Sequence, residues 1–240
     1  MGQVALITGG ARRIGRAIAL DLARAGWAVA VHYRRSGHEA NRLVEEIVAG
    51  GGVAAAIAGD LAHQEDVKSL VPRCREVLGP PVCLVNNASE FQVDTLATTT
   101  MEQWDRHLEI NLKAPVFLAQ SLFLNLPQGI GGNVINIIDQ RVWKLTPDFF
   151  SYTISKAGLW TATRTLAQAL APRVRVNAVG PGPVLKSIHQ TEADFASEVQ
   201  STLLKRGPTP DEIAAAVRFI LAAPAMTGQM IALDGGQHLT

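Results

Sequence analysis

Apolar residues in this chain come in short, nearly unbroken runs, separated by longer stretches in which they recur every three or four positions. The runs fall at 4–7, 28–33, 53–58, 82–86, 133–138, 174–179 and 230–233. The periodic stretches lie near 14–25, 38–49, 64–78, 100–125, 150–170 and 210–222. An alternating strand has one wet face, whereas a continuous Val/Ile/Leu/Ala run is covered on both. Strands of this kind alternating with helices predict an α/β fold with one doubly wound parallel sheet. No repeat, low-complexity tract or Ser/Gly linker divides the chain, so a single domain over 1–240 is expected. Residues 184–208 depart from the pattern, being mixed in polarity with no clear strand. They read as a surface helix pair or as a loop over a substrate.

Composition narrows the picture. Of the 240 residues 48% are hydrophobic and the formal net charge is +1, with no run of like charge to attract a nucleic acid or a membrane surface. Cys74 and Cys83 lack metal-ligand spacing, and the six histidines form no cluster with them. No metal is expected, and the cysteines read as buried thiols of a reducing compartment. The first strand begins at Val4 without a basic segment and long apolar region ahead of it, which predicts a cytoplasmic protein.

The candidate chemistry gathers where strands end. After the first strand, Thr8-Gly9-Gly10-Ala11-Arg12-Arg13-Ile14-Gly15 is a glycine-rich turn into a helix. Such a turn either seats a pyrophosphate on free helix amides or is only a tight connection. The second strand runs into His32-Tyr33-Arg34-Arg35-Ser36. A dinucleotide fold that uses NAD places an acid near this point, for the ribose 2′-hydroxyl. Arginines and a serine suit a 2′-phosphate instead and favour NADP(H) over NAD(H). Asp60-Leu61 follows the third strand, where Asp60 is a ligand carboxylate or a helix cap. Asn86-Asn87-Ala88-Ser89, with Phe91 close behind, follows the fourth and is rich in donors and acceptors. Thr100 and Gln103 stand in capping-box relation. Pro115, four residues after Asn111, has no N–H for the Asn111 carbonyl, so the helix should kink there and the carbonyl seek another donor such as an ordered water. Asp139 ends the fifth strand, as a reactive group or an inert cap. Tyr152 and Lys156, four apart, share a helix face. That spacing is common by chance, but an ammonium beside a phenol favours the phenolate and should lower its pKa. Pro181-Gly182-Pro183-Val184 follows the sixth strand.

Taken together, the Thr8–Gly15 turn, Asp60, Asn86-Asn87-Ala88, Asn111, Tyr152-x-x-x-Lys156 and Pro181-Gly182 resemble the short-chain dehydrogenase/reductase family over essentially the whole chain. The resemblance implies a Rossmann domain with a seven-stranded sheet, a homotetramer or dimer, and hydride transfer from a nicotinamide. The implied NADP(H) contacts run through Gly9, Arg12, Arg13 and Ile14, then His32, Tyr33, Arg34, Arg35 and Ser36. Asp60, Leu61, Asn87, Ala88 and Ser89 follow, with Tyr152, Lys156, Pro181, Gly182 and Val184 completing the set. Tyr152 would be the acid, Lys156 the ribose ligand that lowers its pKa, and Asn111 the holder of a relay water.

Departures from the general pattern look like the pteridine reductase branch. Arg13 replaces a glycine, Ser89 follows Asn-Asn-Ala where glycine is usual, and Asp139 stands in place of the usual serine. His32-Tyr33-x-Arg35-Ser36 and Phe91 also match that branch. There Phe91 would stack on a pterin or folate substrate contacted by Arg13, Ser89, Asp139 and Tyr152. Pro183-Val184-Leu185-Lys186 does not follow the usual continuation. A carboxylate would repel a developing oxyanion, whereas it can accept from the N–H groups of a pterin or pass a proton to its ring nitrogen. A carbonyl or 3-oxoacyl reductase that tolerates Asp139, and a non-catalytic NADPH sensor, are the other readings.

Overall fold

The computed structural model describes residues 2–240. Seven parallel strands form one sheet in the order β3-β2-β1-β4-β5-β6-β7. They are β1 (Val4–Ile7), β2 (Ala28–Tyr33), β3 (Val53–Ala58), β4 (Pro81–Asn86), β5 (Gly132–Ile137), β6 (Val174–Pro181) and β7 (Met230–Leu233). Each apolar run predicts its strand to within about two residues, because both faces are covered and no polar position interrupts the run. On one face lie α1 (Arg13–Arg24), α2 (Gly37–Ala49) and α8 (Pro210–Ala222), packing Ile18, Leu22, Leu43, Ile213 and Val217 against Ala5, Ile7, Val29 and Val31. On the other lie α3 (Gln64–Leu78), α5 (Ala114–Asn125) and α6 (Phe150–Leu170), whose Leu70, Leu118, Leu122 and Ala167 meet Leu6, Leu84, Val134 and Val176. Alternate side chains of each strand thus feed opposite cores. Cys74 and Cys83 are buried free thiols, and burial pushes both up to about 12. Among the described residues no helix is long and apolar enough to cross a membrane, and no cluster of His, Cys, Asp or Glu is placed to hold a metal ion.

The stretch near 100–125 is not one kinked helix. α4 (Met101–Leu108) passes into a π-helical turn over Glu109–Lys113, in which the Ala114 N–H reaches the Glu109 carbonyl, and then into α5. The missing N–H of Pro115 is absorbed by widening the turn, and such π turns frequently mark functional sites. At the start of α4, Thr100 accepts from the Gln103 N–H at 3.2 Å, but the Gln103 side chain turns to the Val93 carbonyl, so the box is half made. Residues 184–208 hold one helix rather than a pair, α7 (Glu192–Ser201), opened by a complete Thr191–Asp194 capping box.

A buried polar ladder ties the sheet to α6. Asn86 and Asn136 are register partners on β4 and β5. Asn86 Nδ2 donates to Asn136 Oδ1 at 2.8 Å, Asn136 Nδ2 to Thr163 Oγ1 at 2.8 Å, and Thr163 Oγ1 to the Leu159 carbonyl at 2.8 Å. Thr163→Val keeps the shape but strands the Asn136 amide, a cost of about 1–3 kcal/mol for an unpaired buried donor. We expect thermal unfolding to fall by several degrees in Thr163→Val; a change no larger than that of the exposed Thr165→Val would show the ladder to be neutral.

Candidate active site

Strand order reverses between β1 and β4, and ligands of open α/β sheets bind outside the carboxyl ends of strands at such a point. Thr8 closes this seam: its hydroxyl accepts the N–H groups of Asn87 and Ala88, each at 3.0 Å. Asn87 Nδ2 returns bonds to the Thr8 and Gly9 carbonyls at 2.9 and 3.1 Å. The glycine turn is held so tightly that a Cβ on Gly15 would lie 2.3 Å from the Gly9 carbonyl oxygen. Gly9 has φ +60° and its Cβ would lie 3.0 Å from the Ala88 backbone. Arg13 takes a left-handed φ of 53°, so it adopts the conformation that favours the glycine it replaces, at a cost on the order of 1 kcal/mol. The first N–H groups of α1 have no intrahelical acceptor, which leaves an anion cradle open to the cleft.

A cleft of about 740 Å³ extends from this turn across the strand ends to Phe91 and to the segment around Leu185. At its inner end Tyr152 and Lys156 are 5% and 2% exposed. The Tyr152 hydroxyl donates to Asp139 Oδ2 at 2.9 Å, while Asp139 Oδ1 accepts the Arg141 N–H at 2.9 Å. Lys156 Nζ donates to the Ile137 carbonyl at 2.9 Å and lies 5.7 Å from the Tyr152 ring centroid. Burial pushes the Asp139 carboxyl up, against the pull of the Arg141 N–H and guanidinium. Burial lowers Lys156 to about 8, opposed by the Asp139 charge. Tyr152 departs from the expectation of a lowered phenol. Burial and then the neighbouring carboxylate push it well above its ordinary value. The hydroxyl therefore keeps its proton at neutral pH and offers it to Asp139.

Phe91 forms the wall over this centre, edge-on to Tyr152 with ring centroids 4.7 Å apart. Its face is stacked on Phe149 at 4.7 Å and 13°, and the Arg141 guanidinium covers that ring at 4.5 Å.

A family model described as enoyl-(acyl carrier protein) reductase matches residues 9–238. A short-chain type dehydrogenase/reductase from Picea abies is 32% identical, covering 98% of this chain and 92% of its own. The chain belongs to the short-chain dehydrogenase/reductase family. A 3-oxoacyl-[acyl-carrier-protein] reductase from Synechocystis is 34% identical, with 98% of this chain and 96% of that protein covered. FolM alternative dihydrofolate reductase 1 from Brucella suis, solved with NADP, is 51% identical with a TM-score of 0.97, covering 99% of this chain and 96% of that one.

Seen as a short-chain dehydrogenase/reductase, the chain brings every catalytic, cofactor and substrate residue that the resemblance implied to the cleft lining except Asn111. Asn111 is fully buried. Its Oδ1 accepts the Glu90 N–H at 2.8 Å and the Ser89 hydroxyl at 3.2 Å, while Nδ2 donates to the Glu90 carbonyl and Ser155 Oγ at 2.9 and 3.0 Å. This side chain clips the Ser89–Glu90 segment to α6. His32 is buried under the turn rather than presented to a ligand: Nδ1 accepts the Gly9 N–H and Nε2 meets the Gly59 carbonyl, both at 3.1 Å. Arg12 lies 3.8 Å from Glu39, Arg34 lies 3.6 Å from Glu90, and Arg13 donates to the Leu185 carbonyl at 2.9 Å. Arg35 has no carboxylate within ion-pair reach among the described residues. Thr8 was foreseen only as the start of the glycine turn, and no role was expected of Glu90, Arg141 or Phe149. Only the paired aromatics just ahead of Tyr152 gave a signal, since hydrogen bonds across 79 residues leave none.

Protonating His32 would set Nδ1–H against the Gly9 N–H, and burial holds its pKa down to about 4 from 6.5. The unfolded chain therefore binds this proton first, and stability falls with pH between 6.5 and about 4. The interval corresponds to on the order of 3 kcal/mol. We expect thermal unfolding of His32→Asn to depend less on pH across that window than the parent; parallel curves would remove His32 from the balance.

Proposed function

We propose that this protein uses NADPH to reduce a C=N bond of a dihydropterin, giving the tetrahydropterin, with dihydrofolate as a related substrate. The observation that carries the reading is the 2.9 Å bond from the Tyr152 hydroxyl to the Asp139 carboxylate beside the Phe91 ring. A carboxylate at this position opposes the negative charge that develops on a carbonyl oxygen. It suits a heterocycle whose N–H and amino groups donate and whose ring nitrogen must gain a proton. Asp139, with its carboxyl pushed up by burial, and Tyr152, held as a phenol, together keep that proton at the inner end of the cleft. Phe91, backed on one face by Phe149, would offer its other face to the pterin, with Ser89 and Arg13 along its path. The 51% identity to a protein named alternative dihydrofolate reductase supports the same reading.

The residues present fit NADP(H). At Gly9 and Gly15 the turn leaves no room for a Cβ against its own backbone and Asn87–Ala88, a tight turn that presents the free amides of α1 to a pyrophosphate, and Arg35 and Ser36 would take the 2′-phosphate. Asp60 and Leu61 would border the adenine, Asn87 and Ala88 the central part, and Lys156 with Tyr152 the nicotinamide ribose. Pro181, Gly182 and Val184 would border the nicotinamide. When bound, NADPH supplies the hydride. Lys156, lowered to about 8, is largely an ammonium at neutral pH and able to bind ribose hydroxyls, and Asn111 positions Ser89 through its side chain. The segment 184–208 would serve as a substrate loop. The 34% identity to a 3-oxoacyl reductase favours a second reading, carbonyl reduction by the same Tyr152–Lys156 pair.

Asp139→Ser separates the two. We expect dihydrobiopterin, dihydromonapterin or dihydrofolate to accelerate NADPH oxidation, and Asp139→Ser to lose at least about a hundredfold in kcat/KM, the scale of a lost acid–base group. Turnover of 3-oxoacyl thioesters alone, undiminished in Asp139→Ser, would establish the second reading. For the cofactor, Arg35→Ala should raise the KM for NADPH about tenfold, the effect of one charge-assisted bond, while leaving NADH nearly unaffected. Equal effects on both would contradict a 2′-phosphate contact.

A further inference from the structure

Beneath the cleft lies a polar circuit that the reaction does not consume. Asp94, His107 and Ser151 are 1%, 0% and 0% exposed. The Gln92 N–H donates to His107 Nε2 at 3.2 Å, and His107 Nδ1 meets Ser151 Oγ at 2.6 Å. Ser151 Oγ donates to Asp94 Oδ2 at 2.5 Å, and the Ser151 N–H reaches both Asp94 oxygens at 3.2 Å.

These bonds fix every proton. The serine has one hydrogen, and the carboxylate can only accept it, so His107 Nδ1 must be the donor to Ser151. Nε2 is then the acceptor, as the Gln92 N–H requires. His107 is therefore neutral and in one tautomer. Burial lowers its pKa, with Arg106 and Lys156 acting in the same sense against Asp94 and Glu90. The buried triad resembles nucleophilic machinery only in its residue types. Its hydroxyl lies in the middle, sealed from the cleft, and aims at the carboxylate rather than outward.

Its placement gives it a role. α6 begins after Phe149, a residue that cannot cap and provides no capping bond. Asp94 supplies the cap from 57 residues away, where a carboxylate is favoured by the free N–H groups and dipole of a 21-residue helix. Gln92 and Asp94, the two ends of the circuit, flank the loop just after Phe91. Its midpoint, Ser151, immediately precedes Tyr152. The His107 ring also stands edge-on to Tyr152 at 6.0 Å.

We propose that Asp94, Ser151 and His107 are positioning residues that lock the Phe91 wall to the Tyr152 hydroxyl and so set the plane of the substrate against its proton donor. The role deepens the pterin reading and rests on it for the identity of the substrate. Either nitrogen of His107 can be replaced separately. Asparagine reproduces the Nδ1 donor to Ser151 but leaves the Gln92 amide without an acceptor; glutamine reaches the Nε2 position and keeps Gln92 held, and although it gives up the bond to Ser151, Asp94 still ties the same loop to Ser151.

The test compares the full-length parent, His107→Asn and His107→Gln with dihydrobiopterin and NADPH. In His107→Asn the KM for dihydrobiopterin should rise on the order of tenfold, as for one lost hydrogen bond. Its KM for NADPH should stay within about twofold, because the cofactor cradle is untouched, and His107→Gln should recover most of the difference. Equal impairment of the two variants, or a loss that appears in the NADPH KM, would overturn the proposal. Hydrogen exchange at the Gln92 amide gives a reading independent of substrate. Protection lost in His107→Asn and kept in His107→Gln supports the lock, and equal protection in both refutes it. A parent enzyme that leaves dihydrobiopterin untouched while the exchange difference appears would sink the pterin reading and leave the lock standing.

Discussion

A carboxylate buried against a phenol is the constraint around which this site is built. Desolvation alone drives Asp139 toward its neutral form and Tyr152 away from ionisation, and their proximity drives the phenol further. The surroundings settle the conflict with fixed donors: the Arg141 N–H on one oxygen, the Tyr152 hydroxyl on the other, and the Lys156 ammonium close by. A carboxylate in so little water is tolerable only where its lone pairs are met. The order of these residues along β5 and α6 is thus a consequence of where the charge must be held. Here Lys156 supports Asp139 at least as much as it supports the phenol.

Much of this was legible in the sequence because a doubly wound sheet writes itself plainly. Strands covered on both faces are uninterrupted apolar runs, and ligand groups must lie just beyond them. The end of each of the first six strands therefore announced Gly9, Arg35, Asp60, Asn87, Asp139 and Gly182. Other features were illegible for reasons of distance. Nothing local says that His32 will turn inward to the Gly9 amide, or that Asp94 will cap a helix starting at Phe150. The direction of the Tyr152 pKa was misjudged for a related reason. A spacing of four brings Lys156 to the tyrosine, but only the folded chain shows that Asp139 reaches the hydroxyl itself. The π turn was half visible: Pro115 declared a lost bond without saying whether the helix would bend or widen.

Family membership leaves chemistry open, since one fold carries many reactions. The comparisons divide along that line, with a 34% relative named for 3-oxoacyl substrates and a 51% structure named for dihydrofolate. What separates the readings is local: Asp139, Ser89, Arg13 and the aromatic wall.

The widened turn at Glu109–Lys113 has a consequence for chain length. One residue more or less rotates a helix face by about 100°. Upstream of the turn His107 looks toward α6 and the Phe91 loop, and within it Asn111 does so too; downstream Leu118 and Leu122 fill the core beside β4 and β5. The extra residue lets one continuous rod serve both directions. Deleting it would return the turn to ordinary helical pitch, leave the carbonyl four residues before the proline without its donor, and turn either the polar clip or the core leucines the wrong way. Insertions and deletions are tolerated in most surface connections, but this stretch has a fixed residue count, set by angle rather than by sequence.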